Sequence, residues 1–257
     1  MTVLLNPDEP APVRILREDG RSDFFLTADH AGRAIPRRLG SLGLPASELG
    51  RHIAWDIGIA GTTERLAGLL DATAVLQTYS RLVIDCNRDP SVDSSIPTVS
   101  EVTEIPGNRG LSAEARETRR REIFAPYHDR IAALLDARRA GGRRTVLVAM
   151  HSFTPVFKGE SRAVEVGILY NRDSRLAHIM LELLRAEGDL VVGDNAPYAI
   201  TDISDYTAPV HGERRGLAHV EIEIRQDLIA EPPGQTAWAE RLARVLGAAD
   251  RRLREND

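Results

Sequence analysis

RTVLVAMH, residues 144–151, is the stretch from which the fold reads. Val146 to Met150 are apolar without interruption. The run fits a strand covered on both faces, as in the parallel sheet of an α/β protein. It stops abruptly at His151-Ser152. Reading outward, DFFLTADH (23–30) is a second short apolar strand that ends in polar residues, and TAVLQTYSRLVIDCNR (73–88) holds one or two more. Downstream, EVGILY (165–170), LVVGDNAPY (190–198) and HVEIEIRQDL (219–228) complete the strand set. Helices fall between them at 56–70, 112–139, 174–187 and 236–254. The second is highly charged and carries Pro126 as a candidate kink. Strands alternating with helices predict a three-layer α/β fold: a mixed, mostly parallel sheet flanked by helices. Residues 1–20 read as a loosely tied arm. Residues 89–110, rich in Pro, Ser, Gly and Asn, read as a long loop of the kind that carries function. No repeat, low-complexity tract or linker interrupts the chain, so one domain over 1–257 is the simplest reading.

Bulk composition narrows the function classes. The chain has 257 residues, enough to bury a core without staples. Its single cysteine, Cys86, excludes an internal disulfide and fits a reducing, cytoplasmic setting. The start, MTVLLNPDEPAP, lacks the basic-then-apolar pattern of a signal peptide. No run of about 18 apolar residues exists to span a membrane. Net charge is −5, and the densest basic cluster, Arg116 to Arg121, is interleaved with glutamates, which argues against a nucleic-acid partner.

The chemistry collects where strands end. In open α/β sheets ligands bind beyond the carboxyl ends of the strands. Asp29-His30 follows FFLTA, Cys86-Asn87-Arg88 follows RLVID, His151-Ser152 follows TVLVAM, and Gly193-Asp194-Asn195 follows LVV. The last strand adds His219, Glu221, Glu223 and Arg225 on one face, with Val220, Ile222 and Ile224 on the other. It is either an edge strand with a wet face or a strand facing the site. His30 and His151 at neighbouring strand ends suit a metal ion bound through neutral imidazole. Asp56 either supplies the carboxylate ligand or caps the helix it opens. Two histidines and one carboxylate leave a zinc position open for water. Asn195, Tyr198 and Tyr206 either line a pocket or belong to turns. His128 reads as packed or surface, and Cys86 as a packed thiol. No nucleophile elbow, phosphate loop, dinucleotide fingerprint or H-E-x-x-H motif is present.

DHAGRAIP (29–36), HIAWDIG (52–58), YSRLVIDCNRDP (79–90), HSFTPV (151–156), VGDNAPY (192–198) and EIEIRQDL (221–228) together resemble the N-formylglutamate amidohydrolase family. The motifs run in order from about residue 24 to the C-terminus. The resemblance implies a zinc carboxypeptidase-like fold and a metallohydrolase with Zn2+ or another divalent ion. Its substrate would be N-formylglutamate or a related N-acyl acidic amino acid, with a deacylase for N-acetyl or N-succinyl amino acids as an alternative. Carried over residue by residue, the ligands would be His30, Asp56 and His151. In carboxypeptidase-like sites the carboxylate stands three positions after the first histidine. Here that position is Arg33, so Asp56 substitutes, with Asp29 as its rival. Glu223 with Arg225 resembles the catalytic Glu-x-Arg setting. Asn87-Arg88 resembles the pair that grips a substrate carboxylate, and Arg81 would add a second cationic contact. Asn195 and Tyr198 would line the pocket. A non-catalytic binder of acidic metabolites is the alternative that the same residues allow.

Overall fold

The computed structural model describes residues 3–256. Seven strands form one sheet: Val13–Leu16 (β1), Phe24–Ala28 (β2), Thr73–Gln77 (β3), Val146–Phe153 (β4), Val166–Leu169 (β5), Val192–Asp194 (β6) and Ala218–Arg225 (β7). Their spatial order is β1-β3-β2-β4-β7-β5-β6. The four central strands β3, β2, β4 and β7 run parallel. β1 joins one edge antiparallel to β3. On the other side β5 runs antiparallel to β7, and β6 runs parallel to β5. The expected mixed, mostly parallel sheet flanked by helices is therefore present.

Period-two alternation splits the core into two layers. Leu26 and Ala28 of β2, Val148 and Met150 of β4, and Val220, Ile222 and Ile224 of β7 face Ile59–Leu70 (α1), Arg175–Glu187 (α4) and Pro232–Asn256 (α5). Phe25, Val75 and Leu147 face the other way, onto Ile123, Phe124, Tyr127 and Ile131. The helix beneath them is Ala113–Arg119 (α2), a π-helical turn Arg120–Phe124, and Ala125–Ala140 (α3). Pro126 cannot donate to the carbonyl four residues back, and the widened turn just before it absorbs that mismatch without breaking the rod. The predicted kink is thus a π-turn.

Three sequence expectations need correction. The arm at 1–20 is not loose where it is described: it carries β1, and the amides of Leu4 and Leu5 donate to Glu122 at 2.8 and 2.9 Å. Its first two residues lie outside the described residues. Secondly, RLVID (81–85) is not a strand. Leu82, Val83 and Ile84 are buried in the second layer, but on irregular backbone. The buried Arg119 guanidinium donates to Val83 O at 2.9 Å, and Asn108 Nδ2 to Leu82 O at 2.8 Å. Side-chain donors from remote segments replace the ladder that the apolar run suggested. Thirdly, β6 runs antiparallel to β2, β4 and β7: Gly193 lies level with Gly167 and Glu223, and Asp194 and Asn195 lead away from the carboxyl ends of those strands. The chain then doubles back across Gly167 and Gly193. A Cβ on either glycine would meet Ala196 O at 2.3 or 2.5 Å.

Candidate metal centre and active site

The site sits at the carboxyl ends of the parallel strands. His30 follows β2, His151 stands two residues before the end of β4, and Glu223 pairs with His151 in register on β7. Asp56 precedes α1 but does not cap it. The cap position is Gly58, at φ +81°, with no side-chain cap hydrogen bond. The Asp56 carboxylate turns inward instead. It receives the Ser152 amide at 3.1 Å, while its own amide donates to His30 O at 3.0 Å.

Three donor atoms converge. His30 Nδ1 lies 3.2 Å from His151 Nδ1 and 3.5 Å from Asp56 Oδ2, and His151 Nδ1 lies 3.1 Å from the same oxygen. Tetrahedral ligands at zinc bond lengths stand about 3.4 Å apart, so the triangle has the size such an ion requires. Tautomers support this. His30 Nε2 donates to Asp85 Oδ1 at 2.7 Å and His151 Nε2 to Asp29 Oδ2 at 3.2 Å. With the Nε2 protons fixed by carboxylates, the neutral rings present Nδ1 lone pairs toward one another and toward a carboxylate oxygen. Three acceptors at this separation call for positive charge between them, whether protons or a metal ion.

The electrostatics agree. Burial opposes a charge on His151, but Glu221, Asp29 and Asp56 outweigh it and lift its pKa well above the usual imidazole range. Burial and Arg81 likewise oppose protonation of His30, and Asp85 and Asp56 overcome them. Asp56 is depressed despite burial, because both imidazoles stabilise its anion. Asp29 backs His151 and is itself held by Thr207 Oγ1 at 2.7 Å, which places it behind the triangle rather than in it.

Asp85 is the residue the sequence reading missed. It accepts from His30, from the Asn87 amide at 2.9 Å, and from Arg81 Nε and Nη2 at 3.1 and 2.7 Å. Its only signal was an aspartate at the end of an apolar run. Asp85→Asn should weaken metal binding by about 10–100-fold, as loss of such a backing carboxylate does. Competition with a zinc-chelating dye measures it, and an unchanged affinity would remove Asp85 from the centre.

A cavity of about 460 Å³ opens onto the triangle, lined also by Arg81, Asn87, Arg88, Tyr198, Glu221 and Glu223. Glu223 is 7% exposed and its Oε2 has no partner among the described residues. Burial, reinforced by Asp56, pushes its pKa up to about 7. Arg81 lines the cavity, but Asp85 occupies two of its nitrogens and Nη1 lies 3.7 Å from Asp56. It therefore serves the centre's own carboxylates. Arg88 touches Asp85 only through Nε, at 3.5 Å, which leaves the end of its fork for a ligand. The Asn87 amide clamps a loop: Nδ2 donates to Asp205 at 3.1 Å, and Oδ1 accepts the amides of Tyr206 and Thr207.

Two predicted site residues are not brought to the cavity. Arg225 turns at the strand end toward Asp227 and the carbonyls of Arg162 and Ala163. Asn195, at φ +46°, follows β6 as it runs away from the site edge, and its side chain accepts the Tyr170 amide at 2.9 Å. Tyr198, by contrast, returns to the cavity wall, where Arg162 donates to its hydroxyl at 2.6 Å. Tyr206 packs on Phe124 and His128. His128 is buried and hydrogen-bonds Cys86 O and His211, and Cys86 is a buried thiol whose pKa is lifted well above normal by burial.

Comparison with known proteins follows the same line. A crystal structure of a gene product from Agrobacterium tumefaciens is 40% identical, covers 98% of this chain and 99% of its own, and superposes with a TM-score of 0.94. The crystal structure of an N-formylglutamate amidohydrolase from Ralstonia eutropha shares the fold at 17% identity, with a TM-score of 0.68 over 96% of this chain and 100% of that one. A comparison with curated proteins gives no match. The family profile of N-formylglutamate amidohydrolase matches residues 22–230, and the chain belongs to that family.

Proposed function

We propose that the protein hydrolyses the amide bond of an N-acyl amino acid, with a divalent metal ion, zinc foremost, held by His30, Asp56 and His151. The observation that carries this reading is the donor triangle beside an unpartnered, buried Glu223 on the neighbouring strand. When bound, such an ion acts as a Lewis acid on the acyl carbonyl and activates water. The chain's own residues do the rest. Glu223 accepts the proton of the attacking water at its carboxylate and delivers it to the departing amine nitrogen. A pKa near 7 suits both halves of that shuttle. Arg88 takes the α-carboxylate of the amino acid with the free end of its guanidinium fork. Asp85 and Asp29 hold the two imidazoles in one tautomer throughout.

N-formylglutamate, the compound in the family's name, is the first substrate to assay, with formate release as the readout. Release of formate that depends on added zinc and is abolished by a chelator supports the reading. Arg88→Ala should raise KM by about 10–100-fold, the worth of one charge-assisted pair, with kcat much less affected. An unchanged KM would remove Arg88 from the binding site.

A further inference from the structure

Six carboxyl side chains line the cavity, those of Asp56, Asp85, Glu101, Asp205, Glu221 and Glu223, against two guanidinium groups, Arg81 and Arg88. Four of the acids are accounted for. Asp56 belongs to the donor triangle, Asp85 takes His30, Arg81 and Arg88, and Glu101 pairs with Arg51 and His52. Glu223 is the base of the proposed reaction. Asp205 and Glu221 remain. Asp205 accepts only from neutral groups: Asn87 Nδ2 at 3.1 Å, the Thr201 amide at 3.2 Å and Ser204 Oγ at 2.6 Å. Glu221 is 2% exposed, and its Oε2 has no hydrogen-bond partner. Neither has a cation within ion-pair distance among the described residues.

We propose that Asp205 and Glu221 form a subsite for a positively charged group of the substrate, an ammonium or guanidinium, so that the released amino acid bears a basic rather than an acidic side chain. This rests on the reaction proposed above and names its substrate class. A buried acid such as Glu221 without a counterion is costly, and a cationic donor that reaches it beside the half-buried Asp205 offsets that cost. Burial, then the charge of Asp205, holds Glu221 well above the ordinary carboxylate range, and burial raises Asp205. A second substrate carboxylate would meet these acids, while the arginine expected to receive it, Arg81, is occupied by Asp85. The spacing also fits. Glu221 pairs with Ala149 and Glu223 with His151, so Glu221 lies two residues deeper on the same face, about 6.6 Å along the strand. That is comparable to the reach of a lysine or arginine side chain from an amide placed at Glu223.

The test uses zinc-loaded protein and three substrates, Nα-formyl-lysine, Nα-formyl-norleucine and N-formylglutamate. The lysine compound should exceed norleucine in kcat/KM by at least about tenfold, with glutamate lowest. Glu221→Gln and Asp205→Asn should each bring the lysine-to-norleucine ratio toward one. The two substitutions lie on different elements, so misfolding of one variant, seen by circular dichroism, leaves the other. Calorimetry with free lysine, norleucine and glutamate reads the same subsite without turnover, with lysine binding tightest. If no substrate is cleaved, the reaction reading fails and calorimetry alone decides the subsite. Glutamate favoured over norleucine, or a lysine-to-norleucine ratio unchanged in both variants, would overturn the proposal.

Discussion

Glu223→Gln is expected to lower kcat by about 10²–10⁴-fold, the usual contribution of a positioned general base, while zinc content and melting temperature stay close to wild type. Glutamine keeps the shape but cannot accept the proton. The side chain stands outside the donor triangle, so the proposed ligands are untouched. The wild type should also show an acid limb in kcat/KM. Glu223 is competent only when ionised, so activity falls as pH drops through its pKa. Burial and Asp56 place that pKa at about 7, and a bound cation draws it lower, so the limb belongs at or below neutrality. A variant with wild-type turnover would eliminate Glu223 as the base. Loss of zinc along with activity would instead make it a ligand.

His151→Ala should have the broadest effect. It removes one corner of the triangle, so zinc affinity should fall by more than the about 10–100-fold set by a backing carboxylate, and formate release should vanish at ordinary zinc concentrations. It also strips a partner from two buried carboxylates, Asp29 and Asp56, whose oxygens stand 3.2 and 3.1 Å from the ring nitrogens. Breaking a buried pair by deleting one member costs about 3–5 kcal/mol, so the melting temperature should drop even in metal-free protein. Calorimetric zinc titration and thermal melts separate the two effects. Retained affinity would contradict the ligand assignment.

Much of this arrangement was legible before the structure. Period-two alternation marked β7 and put Glu221 and Glu223 on one face, because a strand's geometry is local. His30 and His151 stood out as polar stops after apolar runs, and their meeting follows from β2 and β4 being parallel neighbours. What local sequence could not carry was direction and long-range pairing. LVVGDN reads as a strand whichever way it runs. Only its pairing with β5, which runs antiparallel to β7, sends Asn195 away from the site edge. RLVID is apolar enough for a strand, and nothing near it announces that Asn108 and Arg119 will satisfy its carbonyls. Asp85 was hidden inside that misread segment. Asp205 lies in a loop without periodicity, so its place beside the cavity depends wholly on tertiary structure. Asp56 read as either a ligand or a helix cap, and the cap position falls instead on the left-handed Gly58.

The most direct test is a crystal of the zinc-loaded protein measured at the zinc absorption edge. The expected anomalous peak lies between Nδ1 of His30, Nδ1 of His151 and the Asp56 carboxylate, within bonding distance of all three. A peak elsewhere, or none at full zinc occupancy in solution, would contradict the centre on which the proposed chemistry depends.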